Sequence, residues 1–191
     1  MEWRFYDGVP HVSTFEFHEH RDRAPHLEQP NHRPRMDLAL QLALNARGDY
    51  YVDLGCGDGG MLQMLKSTGV QAIGFDFQPS NVAGWVERGV EAYAVNFVED
   101  WGIEVPDADV YMITEVLEHL ADPHTMVHLI RERDAQIVAS SPHDEHAGSH
   151  DECHAWAWDV EGYAKMMTDA GFTVVEHVTV DRFQVLRGVP A

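Results

Sequence analysis

From Met36 onward, apolar residues recur in two alternating rhythms. Met36, Ala39, Leu40, Ala43 and Leu44 fall at helical spacing, with Gly48 behind them as a stop. Tyr50 to Leu54 is a short apolar run leading straight into Gly55, the pattern of a buried strand. Met61, Leu62, Met64 and Leu65 form one helical face that ends near Gly69. Val70 to Phe75 is a second strand, and Val82, Trp85 and Val86 belong to a helix closed by Gly89. Val90 to Val95 and Ala108 to Ile113 read as the third and fourth strands. Asp122 followed by Pro123 is a helix start, and Met126, Val127, Leu129 and Ile130 give that helix its buried face. Gln136 to Ser140 is a fifth strand. Asp159 caps a helix carrying Tyr163, Met166, Met167 and Ala170, which Gly171 ends.

Thr173 to Val180 and Phe183 to Arg187 are two further strands, separated by too few residues for a crossover helix. They therefore form an antiparallel hairpin. Strands alternating with helices predict an α/β fold: a doubly wound, mostly parallel seven-stranded sheet ending in that C-terminal hairpin. Residues 1–34 differ. Trp3, Phe5, Tyr6, Phe15 and Phe17 are scattered among His, Arg and four prolines without a sustained period. The expected organisation is an irregular N-terminal arm over 1–34, packed on a single domain over 35–191.

Composition narrows the function. With 13 basic and 32 acidic residues the net charge is −19, which repels phosphate backbones and disfavours nucleic acid as a partner. No apolar run approaches the roughly 20 residues that span a bilayer, so no membrane role is expected. Glu2, Arg4 and Asp7 interrupt what would be the apolar core of a secretory leader. Two cysteines provide no disulfide framework, and a cytoplasmic location is expected.

The segment Val52-Asp53-Leu54-Gly55-Cys56-Gly57-Asp58-Gly59-Gly60 joins the first main strand to a helix, at the carboxyl end of that strand, where doubly wound sheets bind ligands. Gly55, Gly57 and Gly60 also fit the dinucleotide spacing, so a nicotinamide-dependent dehydrogenase is one reading. A pyrophosphate wants N–H donors and no nearby anion. Asp53 and Asp58 suit a ligand bearing an ammonium and a sulfonium instead. Asp76, at the end of the second strand, is placed to accept from ribose hydroxyls.

This stretch closely resembles the first motif of the class I S-adenosylmethionine-dependent methyltransferases, and the resemblance runs from about Tyr50 to Leu186. It implies a Rossmann-like methyltransferase fold with S-adenosylmethionine as cofactor. Asp53 would serve the amino-acid end, with Gly55, Cys56 and Gly57 passing beneath the cofactor. Asp76 would hold the ribose, Phe77 and Phe97 would flank the adenine, and Asn96 would meet its amino group.

After the fourth strand, Glu115-Val116-Leu117-Glu118-His119 resembles the Glu-x-x-Glu-His stretch of small-molecule methyltransferases of the ubiquinone-biosynthesis type. If helical, it puts Glu115, Glu118 and His119 on one face. The expected chemistry is methyl transfer to oxygen or nitrogen of a small molecule, with Glu115, His119 and His154 as catalytic candidates and no metal. His119 is the natural base, because its ordinary pKa is roughly 6.5. The loop residues His143, His146, His150, Cys153 and His154 do not follow a standard zinc spacing. Glu115, Glu118, His119 and His154 together also resemble the metal-binding set of small-RNA 2′-O-methyltransferases, which gives a metal-dependent alternative. A cofactor-binding module without chemistry is a third.

Overall fold

Along the central strands, successive side chains are committed to opposite faces, and this alternation assembles two cores. The structure, a computed structural model, describes residues 1–99, 101 and 105–191. The chain begins with β1 (Glu2–Arg4), α1 (Phe15–Glu19) and α2 (Arg33–Ala46). It continues through β2 (Tyr50–Leu54), α3 (Gly60–Ser67), β3 (Gln71–Asp76), α4 (Val82–Arg88) and β4 (Ala92–Ala94). Then come β5 (Val110–Thr114), α5 (Pro123–Glu132), β6 (Gln136–Pro142), β7 (Trp156–Trp158), α6 (Val160–Asp169), β8 (Phe172–Val180) and β9 (Phe183–Pro190).

Seven strands form one sheet in the order β4-β3-β2-β5-β6-β9-β8, parallel except where β9 runs antiparallel to β6 and β8. Tyr51, Val110, Met112, Val138 and Val185 point to the face covered by α2 and α3. Their neighbours Val52, Tyr111, Ile113, Ile137 and Leu186 point to the other face, beneath α5 and α6. Among the described residues, no helix is long and apolar enough to cross a membrane.

Several local expectations shift. The third strand shrinks to the three residues of β4, and the fourth begins at Val110 instead of Ala108. Helix α2 opens at Arg33, with Pro34 in its first turn, so it takes in the last two residues assigned to the arm. Its left-handed cap is Arg47 (φ 55), while Gly48 is pressed against Asp109 and Val110. The Glu115–His119 stretch is not an α-helix. Glu115 sits at φ 59, and only a single 3₁₀ turn, Leu117–His119, follows.

The arm is more ordered than its irregular pattern suggested. β1 pairs antiparallel with β7, more than 150 residues away, in a three-residue ladder too short to leave a period in the sequence. Phe5 stacks on His150 at 3.7 Å, and Arg23 reaches the buried Asp58 at 3.1 Å. A 3₁₀ turn at His26–Glu28 brings His26 against His32, ring on ring at 4.4 Å.

Burial, then the nearby positive groups, push His26 down to about 4. A histidine held neutral in the native state but protonated when unfolded favours unfolding as pH falls between about 6.5 and 4. His26→Gln should therefore gain on the wild type by up to about 3 kcal/mol as pH drops from 7.5 to 4. Urea midpoints of both proteins at the two pH values measure this. A constant gap between them would show that His26 is not held neutral.

Candidate active site

β2 ends where the chain must turn beneath the sheet edge, and glycine makes that turn possible. Gly55 takes φ 74, and its N–H and that of Cys56 both donate to the Phe75 carbonyl, at 2.8 and 3.1 Å. A Cβ on Gly55 would stand 2.4 Å from Val116, so the close approach excludes a side chain. Gly57 (φ 53) is different: a Cβ there would meet nothing within 4 Å, because the residue faces open space.

All eight residues expected at the cofactor line one crevice of about 580 Å³, together with Glu115 and His119. Phe97 is also part of the main apolar core, so it is a wall of the crevice and a packing residue at once. Cys56 is buried, and its thiol is pushed well above the ordinary range, chiefly by that burial. The arm supplies the facing wall, where Phe15 and His18 stand 5.7 and 5.2 Å from Phe77.

Three aspartates near the glycine loop do three different things. Asp76 accepts from Gly57 N–H (2.9 Å), Gln78 N–H (2.8 Å) and the Asn81 amide (3.1 Å). A carboxylate offers roughly four acceptor sites, so about one remains for a ligand. Asp58 is buried and paired with Arg88 at 2.6 Å and Arg23 at 3.1 Å. Its charge is largely met by these two arginines, although the residue still lines the crevice. Asp53 is buried, and neither oxygen has a hydrogen bond among the described residues. Burial and the neighbouring Asp76 push its carboxyl up to about 8.

Arg35 was not anticipated. It lies on α2, is only 3% exposed, and has a single long hydrogen bond, 3.4 Å to Ser140 Oγ. Its Nε has no hydrogen-bond partner among the described residues, and the side chain lines the same crevice as Asp53. The one cue in the sequence was an arginine adjoining Met36 at the start of the helix's apolar face.

At the other end, Ser140 Oγ donates to Glu115 at 2.8 Å, tying β6 to the residue after β5. Glu118, His119 and His154 each bring one ligand-type atom within 4.8 Å of the others. His154 lies outside the crevice lining, its ring 4.7 Å from that of His119. His119 Nδ1 lies 3.1 Å from the Cys153 carbonyl, which can only accept. The proton is therefore on Nδ1, and Nε2 carries the lone pair. His154 Nδ1 donates to Glu145 at 2.6 Å, leaving its Nε2 equally free.

Both oxygens of Glu118 are buried without a hydrogen bond among the described residues. Burial, then the Glu115 charge, push Glu118 up to about 8, and burial pushes His119 down to about 3. For His154, burial opposes the charge, but the Glu145 hydrogen bond raises its pKa overall. Ser13, from the arm, donates to the same Cys153 carbonyl at 2.5 Å and lies 3.4 Å from His119.

A family model described as a methyltransferase domain matches residues 26–177. The chain belongs to this methyltransferase domain family. Its mostly parallel sheet with the inserted antiparallel strand is the Rossmann-like fold of class I S-adenosylmethionine-dependent methyltransferases.

A ubiquinone biosynthesis O-methyltransferase from Photorhabdus laumondii is 32% identical over 124 residues, covering 60% of this chain and 50% of that protein. The chain thus spans about half the length of this methyltransferase relative. N-methyltransferase NodS from Bradyrhizobium japonicum WM9, solved with S-adenosyl-L-homocysteine, superimposes with TM-score 0.70 at 18% identity, over 92% of this chain and 96% of that one. The [4+2]-cyclase SpnF superimposes with TM-score 0.69 at 15% identity, over 85% of this chain and 82% of that one. These superpositions speak to the methyltransferase fold alone.

Proposed function

We propose that the protein transfers a methyl group from S-adenosylmethionine to oxygen or nitrogen of a small molecule. The observation that carries this reading is the buried carboxyl of Asp53, without a hydrogen bond among the described residues, together with the Arg35 guanidinium, which has no carboxylate partner among them, both lining a glycine-floored crevice. An amino acid's ammonium and carboxylate complement those two groups. In this reading residues 35–191 are the catalytic domain, and the arm, 1–34, closes one side of the crevice.

Gly55, Cys56 and Gly57 form the floor, Asp76 offers its remaining acceptor site to the ribose, and Asn96 meets the adenine edge between Phe77 and Phe97. S-adenosylmethionine supplies an electrophilic methyl on a sulfonium sulfur. The chain's task is then to align the acceptor and to take its proton. His119, neutral with Nε2 unprotonated, stands where a proton could be received, with Glu115 and His154 around it, but burial that holds it at about 3 makes it a far weaker base than its ordinary value implied. O- and N-methyltransferases among the relatives support a small-molecule acceptor.

One observation favours a second reading of the chemical end. A buried carboxyl with no partner on either oxygen is costly whether ionised or protonated. At Glu118 it stands beside the imidazoles of His119 and His154, whose Nδ1 atoms are engaged elsewhere, and a carboxylate with two imidazoles is a donor set for a divalent transition ion. Glu118, His119 and His154 would hold such an ion, which would supply Lewis acidity toward an acceptor oxygen. His119 and His154 would then act as ligands and not handle protons.

Calorimetry should show binding of S-adenosylmethionine and S-adenosylhomocysteine but not NAD; binding of NAD alone would sink the methyltransferase reading. Asp76→Ala should weaken cofactor binding by about 1–3 kcal/mol, since a charged acceptor and the clasp on Gly57 are lost together.

The Asp53 carboxyl, at about 8 without ligand, should ionise when an ammonium docks. Binding then releases a proton below that pH, and affinity climbs toward pH 8 before levelling off. Calorimetry at pH 6.5 in buffers of different ionisation heat should detect the proton, and Asp53→Asn should abolish it. Buffer-independent heats in the wild type would remove Asp53 from the ammonium site. The metal reading is tested by EDTA: it requires turnover to stop and manganese to restore it, whereas undiminished turnover returns His119 to the role of base.

A further inference from the structure

Glu145 lies in the loop after β6 and is 4% exposed, although the segment around it is largely open to solvent. Its two oxygens are separately committed. Oε1 accepts from Arg182, in the turn between β8 and β9, at 3.1 Å and from the Asp151 N–H at 3.4 Å. Oε2 accepts from His154 Nδ1 at 2.6 Å. Arg182 also pairs with Asp144 at 3.3 Å, which ties the loop to the hairpin tip.

We infer that Glu145 is a positioning residue: it fixes the tautomer and ring orientation of His154, so that Nε2 is presented to Glu118 and His119 as a ligand lone pair. This rests on the metal reading of the same cluster. A carboxylate behind a ligating imidazole makes it more basic and holds it in place. The Cys153 carbonyl does the same for His119, so both rings of the cluster are set with the same nitrogen outward.

The fixed roles of the two oxygens make a sharp test possible. In Glu145→Gln the amide oxygen stays with its two donors, Arg182 and the Asp151 N–H. The amide NH₂ is then turned toward His154 and can only donate. His154 must accept on Nδ1 and carry its proton on Nε2, where the lone pair was needed. Glu145→Asp keeps the charge and the tautomer but withdraws the carboxylate by one methylene.

Two readouts on the full chain separate the possibilities: imidazole ¹⁵N shifts of metal-free protein at alkaline pH, and cobalt(II) titration followed by visible absorption. In the wild type His154 should show Nδ1–H, and in Glu145→Gln it should show Nε2–H. Cobalt affinity should drop about 10–100-fold in that variant, the usual scale for loss of such a partner, with the unfolding midpoint little changed. An unreversed tautomer in folded Glu145→Gln overturns the inference. Should that variant not fold, wild-type cobalt affinity in Glu145→Asp overturns it equally. A reversed tautomer with no cobalt binding even in the wild type upholds the role of Glu145 in orienting His154 and rejects the metal reading instead.

Discussion

The whole site hangs on how the chain leaves β2. Two consecutive N–H groups, of Gly55 and Cys56, converge on the Phe75 carbonyl, and Gly57 N–H is taken by Asp76 at the end of the adjacent strand. Those three bonds bend the backbone away from the sheet in a left-handed path and leave a hollow above the strand ends. Parallel pairing of β2 with β3 sets the register that makes this possible, because it puts Leu54 opposite Phe75. Helix α3 can start directly after the turn, so the loop has packed structure on both sides and little freedom to collapse. The hollow is thus a consequence of the sheet, and ligand groups need only complement it.

In and beside the hollow stand buried ionisable groups without ion-pair partners among the described residues. Asp58, five residues from Asp53, shows how the protein treats an acid it needs for structure: two arginines close on it. Asp53, Glu118 and Arg35 receive no such treatment, though all are at least as deeply buried. Leaving each unpaired works against folding, on the order of 1–3 kcal/mol per group. The same groups bind a complementary ligand more strongly because water is already excluded from them. In the proposed reading stability is given up where recognition gains: Asp53, Arg35 and His119 line the crevice, and Glu118 is buried behind it.

The elements with a sustained period were legible in the sequence, since a face buried on one side forces spacing of 3.6 or 2. All seven sheet strands and the order of helices among them followed from that. So did the glycine turn with Asp53 and Asp76, because backbone geometry admits few residue types there. Features that depend on distant partners were not legible. The β1–β7 ladder is made across the length of the chain and is too short to show alternation. Glu115 is left-handed and tied to β6, so the motif Glu115–His119 converges with His154 through a 3₁₀ turn and not along a helical face. Asp58 and Arg35 could be told apart as paired and unpaired only once their surroundings were known.

The division of labour in this fold explains why the sheet does not decide the acceptor atom. An N-methyltransferase and a cyclase share the architecture at similar TM-scores. What differs must lie in the segments around the crevice, here the arm and the loop after β6. They meet at the Cys153 carbonyl, which receives the Ser13 hydroxyl from one side and His119 from the other. The arm that walls the crevice thus shares an acceptor with the His119 ring. Replacing either segment would alter the shape of the opening and the setting of His119 together, while the β2 turn and Asp76 stayed as they are. If the cofactor binds at the strand ends and the acceptor against the appended segments, as proposed, the two sites can diverge independently on one shared fold.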